Sequence, residues 1–261
     1  MSHIFCIAVE IQMVPSAPTW CVPPRTLSLS EREVHVWRAS FHQLDALYES
    51  FEEVISVDEQ AKARRYRFDE HRREYITARG FLRFLLGAYA GQNPQELKFL
   101  YNPFGKPSLY NINGSHRITF NLSHAHGFVI YGFSINREIG VDIERIRPEA
   151  AHDGVAERFF SPNEIHVLRS LPIHAQPQGF FNCWTRKEAY IKARGEGLSI
   201  PLNQFDVSLI PGQPAELLES RIDPKDTTKW TLQALPMGTQ YAAALAVEGS
   251  DWDLKCWDWR K

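Results

Sequence analysis

Ile139-Gly140-Val141-Asp142-Ile143-Glu144 alternates apolar and acidic side chains once past its glycine, and the rest of the chain is read around it. On an extended strand, residues two apart share a face. Asp142 and Glu144 therefore project together, while Val141 and Ile143 turn towards a core. Two carboxylates on one face repel unless water, a basic partner or a cation stands between them. Taken alone, the stretch also reads as a solvated strand face that happens to be acidic. A third carboxylate further along the chain changes that reading.

This third acid lies in Phe181-Asn182-Cys183-Trp184-Thr185-Arg186-Lys187-Glu188-Ala189-Tyr190-Ile191-Lys192. Trp184, Glu188 and Lys192 fall four residues apart, on one face of a helix; as an isolated surface pair, Glu188 and Lys192 contribute only ~0.3–0.5 kcal/mol. Gly195-Glu196-Gly197-Leu198 ends the helix as a C-cap, or a close approach to a ligand, would. If Glu188 meets Asp142 and Glu144, three carboxylates in one place demand a divalent cation. All-oxygen ligation with room for water and substrate phosphates is the habit of Mg²⁺. Lys192, Lys106, His124 and an upstream basic segment would then face a polyanionic substrate with its diphosphate on the metal.

Composition sets the frame. The chain has 261 residues, 44% hydrophobic, enough for one large core or two small ones. A net charge of −2 gives no bulk affinity for nucleic acid or acidic membranes. Positive charge is nevertheless concentrated between Glu59 and Arg83, where eight Lys or Arg stand against four acids. Cys6, Cys21, Cys183 and Cys256 show no C-x-x-C or metal-finger spacing and read as thiols in a reducing compartment. No transmembrane run or signal peptide is evident, so a cytoplasmic protein is expected.

In chain order, residues 1–30 form a Pro-rich N-terminal extension, a loose tail or at best an added edge strand. A strand over 33–41 and a helix over 44–54 follow. Ser56-Val57-Asp58-Glu59 caps a helix running through the basic segment, and helix continues over 74–90. A turn-rich loop, 101–107, presents Lys106. Strands over 117–122 and 128–135 flank Ser123-His124-Ala125-His126-Gly127, in which His126 reads as structural. Ser161-Pro162-Asn163-Glu164 opens a helix to about 171. Residues 180–194 form another helix, and strands broken by Pro and Gly fill the remainder. The pattern predicts an α+β protein with an N-terminal lobe over 31–136 and a C-terminal lobe over 137–261 that carries the metal-binding acids.

Gly-Val-Asp-Ile-Glu at 140–144, followed by Trp-Thr-Arg-Lys-Glu-Ala-Tyr-Ile-Lys at 184–192 and Gly-Glu-Gly-Leu, resembles the paired signature of the 4′-phosphopantetheinyl transferases. Gly105-Lys106-Pro107, Asn121-Leu122-Ser123-His124 and the basic segment over 61–68 match too, so the resemblance covers about 34–207. Its spacing is that of the single-chain, two-lobed branch of the family. The resemblance implies a pseudodimer of two similar α+β lobes with coenzyme A in the cleft between them. It implies transfer of the 4′-phosphopantetheine arm to a serine of apo carrier proteins of fatty-acid, polyketide or nonribosomal peptide synthesis, with release of adenosine 3′,5′-bisphosphate. Asp142, Glu144 and Glu188 match the Mg²⁺ ligands, with Glu188 also a base for the attacking serine and Lys192 the lysine at the diphosphate. Lys62, Lys106, Ser123, His124 and Asp142 match residues around coenzyme A. A basic residue that some members carry one turn before Lys62 is Glu59 here, which implies a different grip on the 3′-phosphate. The implied protein is a monomer with no nucleic-acid or membrane partner. Two alternatives stand beside it: a Mg²⁺-dependent hydrolase of a nucleotide diphosphate, and a coenzyme A- or carrier-binding module without catalysis.

Overall fold

The computed structural model describes residues 18–110, 116–149 and 154–260. The apolar run expected over 4–9, Pro15 and Cys6 lie outside them. The chain enters through β1 (Trp20–Cys21) and β2 (Glu33–Ser40), then α1 (Phe41–Leu44), α2 (Tyr48–Val54), α3 (Val57–Ala63) and the long α4 (Asp69–Ala90). A small hairpin, β3 (Phe99–Tyr101) and β4 (Pro107–Leu109), precedes a larger one, β5 (Ile118–Ala125) and β6 (Phe128–Ile135). After β7 (Ile139–Arg145) come α5 (Val155–Phe159), α6 (Pro162–Ser170) and α7 (Gln176–Arg194). The chain closes with β8 (Phe205–Val207), β9 (Leu217–Ser220), α8 (Asp226–Lys229), β10 (Trp230–Ala234), β11 (Tyr241–Glu248) and β12 (Asp253–Asp258).

The fold is α+β, in four layers. A five-stranded sheet in the order β1-β12-β2-β6-β5 faces a three-stranded sheet in the order β10-β11-β7. Val34, Val36 and Ile130 from the first meet Ile139, Val141, Ile143 and Leu245 from the second, forming the middle of the sandwich. On the outer side of the larger sheet, Trp37, Phe120 and Tyr131 pack under Phe81, Leu82 and Leu86 of α4. On the outer side of the smaller, Ala242, Ala244 and Ala246 lie under Ala189, Tyr190 and Ala193 of α7. Each lobe is thus a sheet backed by one long helix, and strand alternation sends every second side chain to a helix or to the facing sheet.

Two local departures from the sequence reading have plain causes. The helix opened at Ser56 stops at Ala63, where Tyr66 folds back on Tyr75 (ring centroids 5.4 Å apart), and α4 restarts at Asp69. Against the division expected after residue 136, β12 returns to the first lobe's sheet, parallel to β2, with Cys256 opposite Val36 and Trp257 opposite Trp37. Trp257 and Trp259 then pack against the α4 core. The extension adds β1 as an edge strand on β12. Among the described residues no helix is long and apolar enough to cross a membrane.

Candidate active site

β5 and β7 are edge strands of different sheets, and they are joined by side chains rather than by a backbone ladder. The polar residues Thr119, Asn121 and Ser123 alternate along β5 and face β7. The hydroxyls of Thr119 and Ser134 meet at 2.6 Å beside the carbonyl of Arg137. Asn121 Oδ1 accepts from the Val141 N–H at 2.9 Å, and Ser123 Oγ donates to Asp142 Oδ1 at 2.9 Å. The sequence displays this period-two polar row, of which Ser123 alone is an expected site residue.

Asp142 and Glu144 share one face of β7, as the alternation predicts, but that face is covered by α7 rather than by water. Gly140 makes this possible: a Cβ there would stand 2.1 Å from the carbonyl oxygen of Ala189 and 2.4 Å from the nitrogen of Ala193. With the helix so close, Lys192 Nζ donates to Asp142 Oδ1 at 2.6 Å, to Ser123 Oγ at 3.2 Å and to Val141 O at 3.4 Å. Asp142 is 4% exposed, and its other oxygen, Oδ2, is buried without a hydrogen-bond partner. Burial, with Asp142 beside it, pushes the Glu144 carboxyl up to about 7. Burial also raises Glu188, where the Lys192 ammonium opposes the shift and Asp142 adds to it.

The expected three-carboxylate centre is not ready-made: among the described residues no three His, Cys, Asp or Glu side chains are grouped tightly enough to hold a metal ion. Lys192, rather than convergence of the acids, neutralises Asp142. The donor set nonetheless fits a hard cation. It has an orphaned carboxylate oxygen and two neighbouring carboxyls that burial and mutual repulsion make hard to ionise without added positive charge.

The other predicted residues fall into two places. Lys62 and His124 line a cavity of about 260 Å³ with Tyr66, Tyr75, Tyr101 and Asn121. The exposed Lys62 ammonium lies 5.4 Å above the Tyr75 ring. Partial desolvation lowers the His124 pKa from its ordinary value, with Lys192 and His71 helping and Glu74 opposing, although the residue keeps an exposed edge. A larger cleft of about 890 Å³ is lined by other residues of α4, Glu74 among them, and by His126 and Arg145. His126 forms the left-handed corner of the β5–β6 hairpin (φ 40°), a structural role. The Lys106 side chain does not line the smaller cavity; its ammonium is turned towards Glu138, 2.8 Å away. Trp184 stacks on Phe180, with ring planes 9° apart.

Two ion clusters escaped the sequence reading. Glu59, at the position where some family members carry a basic residue, is 1% exposed and receives Arg79 and Arg83, each at 2.6 Å. Lys187, inside the helix motif, is fully buried against Glu164 at 2.8 Å and donates to the carbonyls of Leu202 and Phe205. Its place on the apolar stripe with Cys183 and Tyr190 was the signal that it points inward.

A sequence profile described as the 4′-phosphopantetheinyl transferase superfamily matches residues 138–246, and one described as 4′-phosphopantetheinyl transferase, N-terminal, matches residues 35–134. The 4′-phosphopantetheinyl transferase HetI of Nostoc sp. is 38% identical over 239 residues, spanning 92% of this chain and 98% of its own. The 4′-phosphopantetheinyl transferase Sfp of Bacillus subtilis is 31% identical over 161 residues, 62% of this chain and 69% of its own. A solved holo-(acyl-carrier-protein) synthase of Bacillus anthracis, in complex with coenzyme A, is 26% identical over 43% of this chain and 96% of that one, at a TM-score of 0.32.

Proposed function

The chain belongs to the 4′-phosphopantetheinyl transferase superfamily, and on that premise we propose how the residues of its cleft divide the work. The protein transfers the 4′-phosphopantetheine arm of coenzyme A to a serine of apo carrier proteins and releases adenosine 3′,5′-bisphosphate. The observation that carries the division of labour is the Ser123–Asp142–Lys192 cluster with its orphaned Asp142 oxygen. Asp142, Glu144 and Glu188 would hold Mg²⁺. When bound, the cation neutralises the diphosphate and stabilises charge developing on the departing nucleotide. Lys192 sits beside Asp142 with part of its side chain in solvent, so its ammonium can pass from carboxylate to phosphate with little movement. Ser123 holds Asp142 in place through that exchange.

The small cavity suits the nucleotide: tyrosine faces for a base, the Lys62 charge, and an imidazole N–H from His124. Glu59 is spent on Arg79 and Arg83, so the 3′-phosphate is gripped without it. The larger cleft, ending at Arg145 next to Glu144, gives the carrier serine its approach. Glu188, beside Lys192 and Asp142, is both ligand and base, weighted to the first role, because a cation lowers the basicity of a carboxylate that binds it. The two family profiles match successive parts of one polypeptide, 35–134 and 138–246, which supports a monomer. Cys183 and Cys256 are buried free thiols, which supports a cytoplasmic setting. Light scattering and cell fractionation test these two points.

Incubating the protein with Mg²⁺, coenzyme A and apo carriers of the fatty-acid, polyketide and nonribosomal peptide types, then weighing the carriers by mass spectrometry, tests the whole reading. Asp142→Ala should abolish the mass gain while the variant still melts cooperatively. Normal turnover by that variant would remove Asp142 from the centre. A mass gain confined to one carrier type would set the specificity.

A further inference from the structure

We propose that Lys106 is a positioning residue, an inter-lobe clasp that sets the height of the helix bearing Glu188 and Lys192 above the strand bearing Asp142. This rests on the reading of the Asp142–Lys192 pair as the reacting centre. The resemblance would make Lys106 a contact to coenzyme A, but its three N–H donors already have three protein acceptors. Nζ lies 2.8 Å from Glu138 Oε2, 2.8 Å from Ala193 O and 3.2 Å from Ile139 O. Its side chain is 14% exposed.

Those acceptors are informative by position. Ala193 follows Lys192 directly, near the C-terminus of α7, where carbonyls lack intrahelical partners and a cation is favoured by the helix dipole. Ile139 opens the strand that carries Asp142 and Glu144. One ammonium, borne by the β3–β4 loop of the first lobe, thus ties together the helix and the strand that must face each other. Asn102 reinforces the tie, its Nδ2 donating to Gly195 O at 2.7 Å.

The loop behind the clasp is braced. Asn102 Oδ1 accepts from the backbone N–H groups of Phe104 at 3.0 Å and Lys106 at 2.9 Å. The Asn102 N–H reaches Lys106 O at 3.1 Å, closing the loop on itself. Glu138 is held from its other oxygen by Arg117 at 2.7 Å. Gly195, at φ 77°, admits the clasp: a Cβ there would stand 3.0 Å from the Lys106 stem and 3.2 Å from the Asn102 amide. The glycine after the helix therefore serves an approach by protein.

Lys106→Met keeps the stem and removes the donors. Assayed where the variant is folded, it should lose about 10- to 100-fold in kcat, the scale expected for small misplacement of reacting groups. Its Kd for coenzyme A should stay within about twofold, and Lys106→Arg should recover part of the rate. Glu138→Gln provides a second reading should Lys106→Met not fold, because the two roles predict different outcomes for it. A clasp deprived of its partner charge loses kcat at unchanged affinity, whereas a phosphate contact released from Glu138 binds coenzyme A at least as tightly and keeps its kcat. Retained kcat in the variants that fold overturns the proposal, as does a loss of coenzyme A affinity of about tenfold or more in Lys106→Met. Asp142→Ala in the same assay reports separately on the premise, since full turnover there would displace the reacting centre without touching the clasp.

Discussion

Glu188 and Glu59 are one residue type in two environments. Glu188 stands half-buried near Lys192 with no hydrogen bond satisfying it among those described, whereas Glu59 is locked between two guanidinium groups. Glu188→Gln keeps the shape and removes the charge. It should raise the Mg²⁺ concentration for half-maximal rate by at least about tenfold, with excess metal restoring much of the turnover, as metal titration of the initial rate would read. A kcat loss of about 10²–10⁴ that metal does not rescue would make Glu188 chiefly a base. For Glu59, burial works to raise the pKa, but Arg79, the Ser56 N–H and Arg83 outweigh it and hold the carboxyl below 4.5. The depressed value means that this contribution to stability is complete above pH 4.5 and fades as pH falls through the folded-state pKa. Glu59→Gln leaves two buried guanidiniums without their counter-charge and should cost about 3–5 kcal/mol at neutral pH. Urea unfolding from neutral pH into acid should also show a shallower loss of stability in the variant than in the parent.

At the scale of elements, the site is a contact between α7 and β7. Four consecutive residues of the helix motif do different jobs because each step turns the side chain by roughly 100°. Thr185 bonds back to Phe181 O, Arg186 holds Ser208, Lys187 holds Glu164, and Glu188 feels the charges of Lys192 and Asp142. The helix reaches its height because Gly140 and the Ala242, Ala244 and Ala246 face leave no bulk beneath it. Gly140→Ala would drive a methyl group into the backbone of Ala189 and Ala193, which cannot step aside as a side chain could. Thermal melts should report a loss of about 1–3 kcal/mol or more. Transfer activity should fall further than stability does, since the lifted helix draws Lys192 away from Asp142.

Across the whole molecule, the last strand holds the first lobe. β12 lies between β1 and β2 in the five-stranded sheet, and Trp257 with Trp259 seals the base of α4. Deleting residues 253–261 would strip β2 of its parallel partner and expose that core. The truncated protein should lose cooperative unfolding by circular dichroism and bind a hydrophobic dye, even though every predicted site residue remains in the chain. Residues 31–136 expressed alone should behave likewise, for want of the same strand.

The alternation over 139–144 determined that Asp142 and Glu144 share a face, and the four-residue spacing over 184–192 put Glu188 and Lys192 on another, because both are properties of local backbone geometry. The Ser161 cap followed from sequence for the same reason: its partner, Glu164, is three residues away. Lys106 could not be read in this way. It sits 32 residues from Glu138 and 87 from Ala193, and a flexible four-carbon stem goes wherever folded carbonyls and charge lie in reach. Nor did sequence disclose that Glu59 is internal, since Arg79 and Arg83 face it from a different helix. The return of β12 to β2 was equally hidden, because a strand's pattern records that a face will be buried and carries no mark of which sheet will bury it. Local periodicity is written in neighbouring residues, whereas the partner of a long side chain or an edge strand is chosen only when distant segments compete for it in the folded chain.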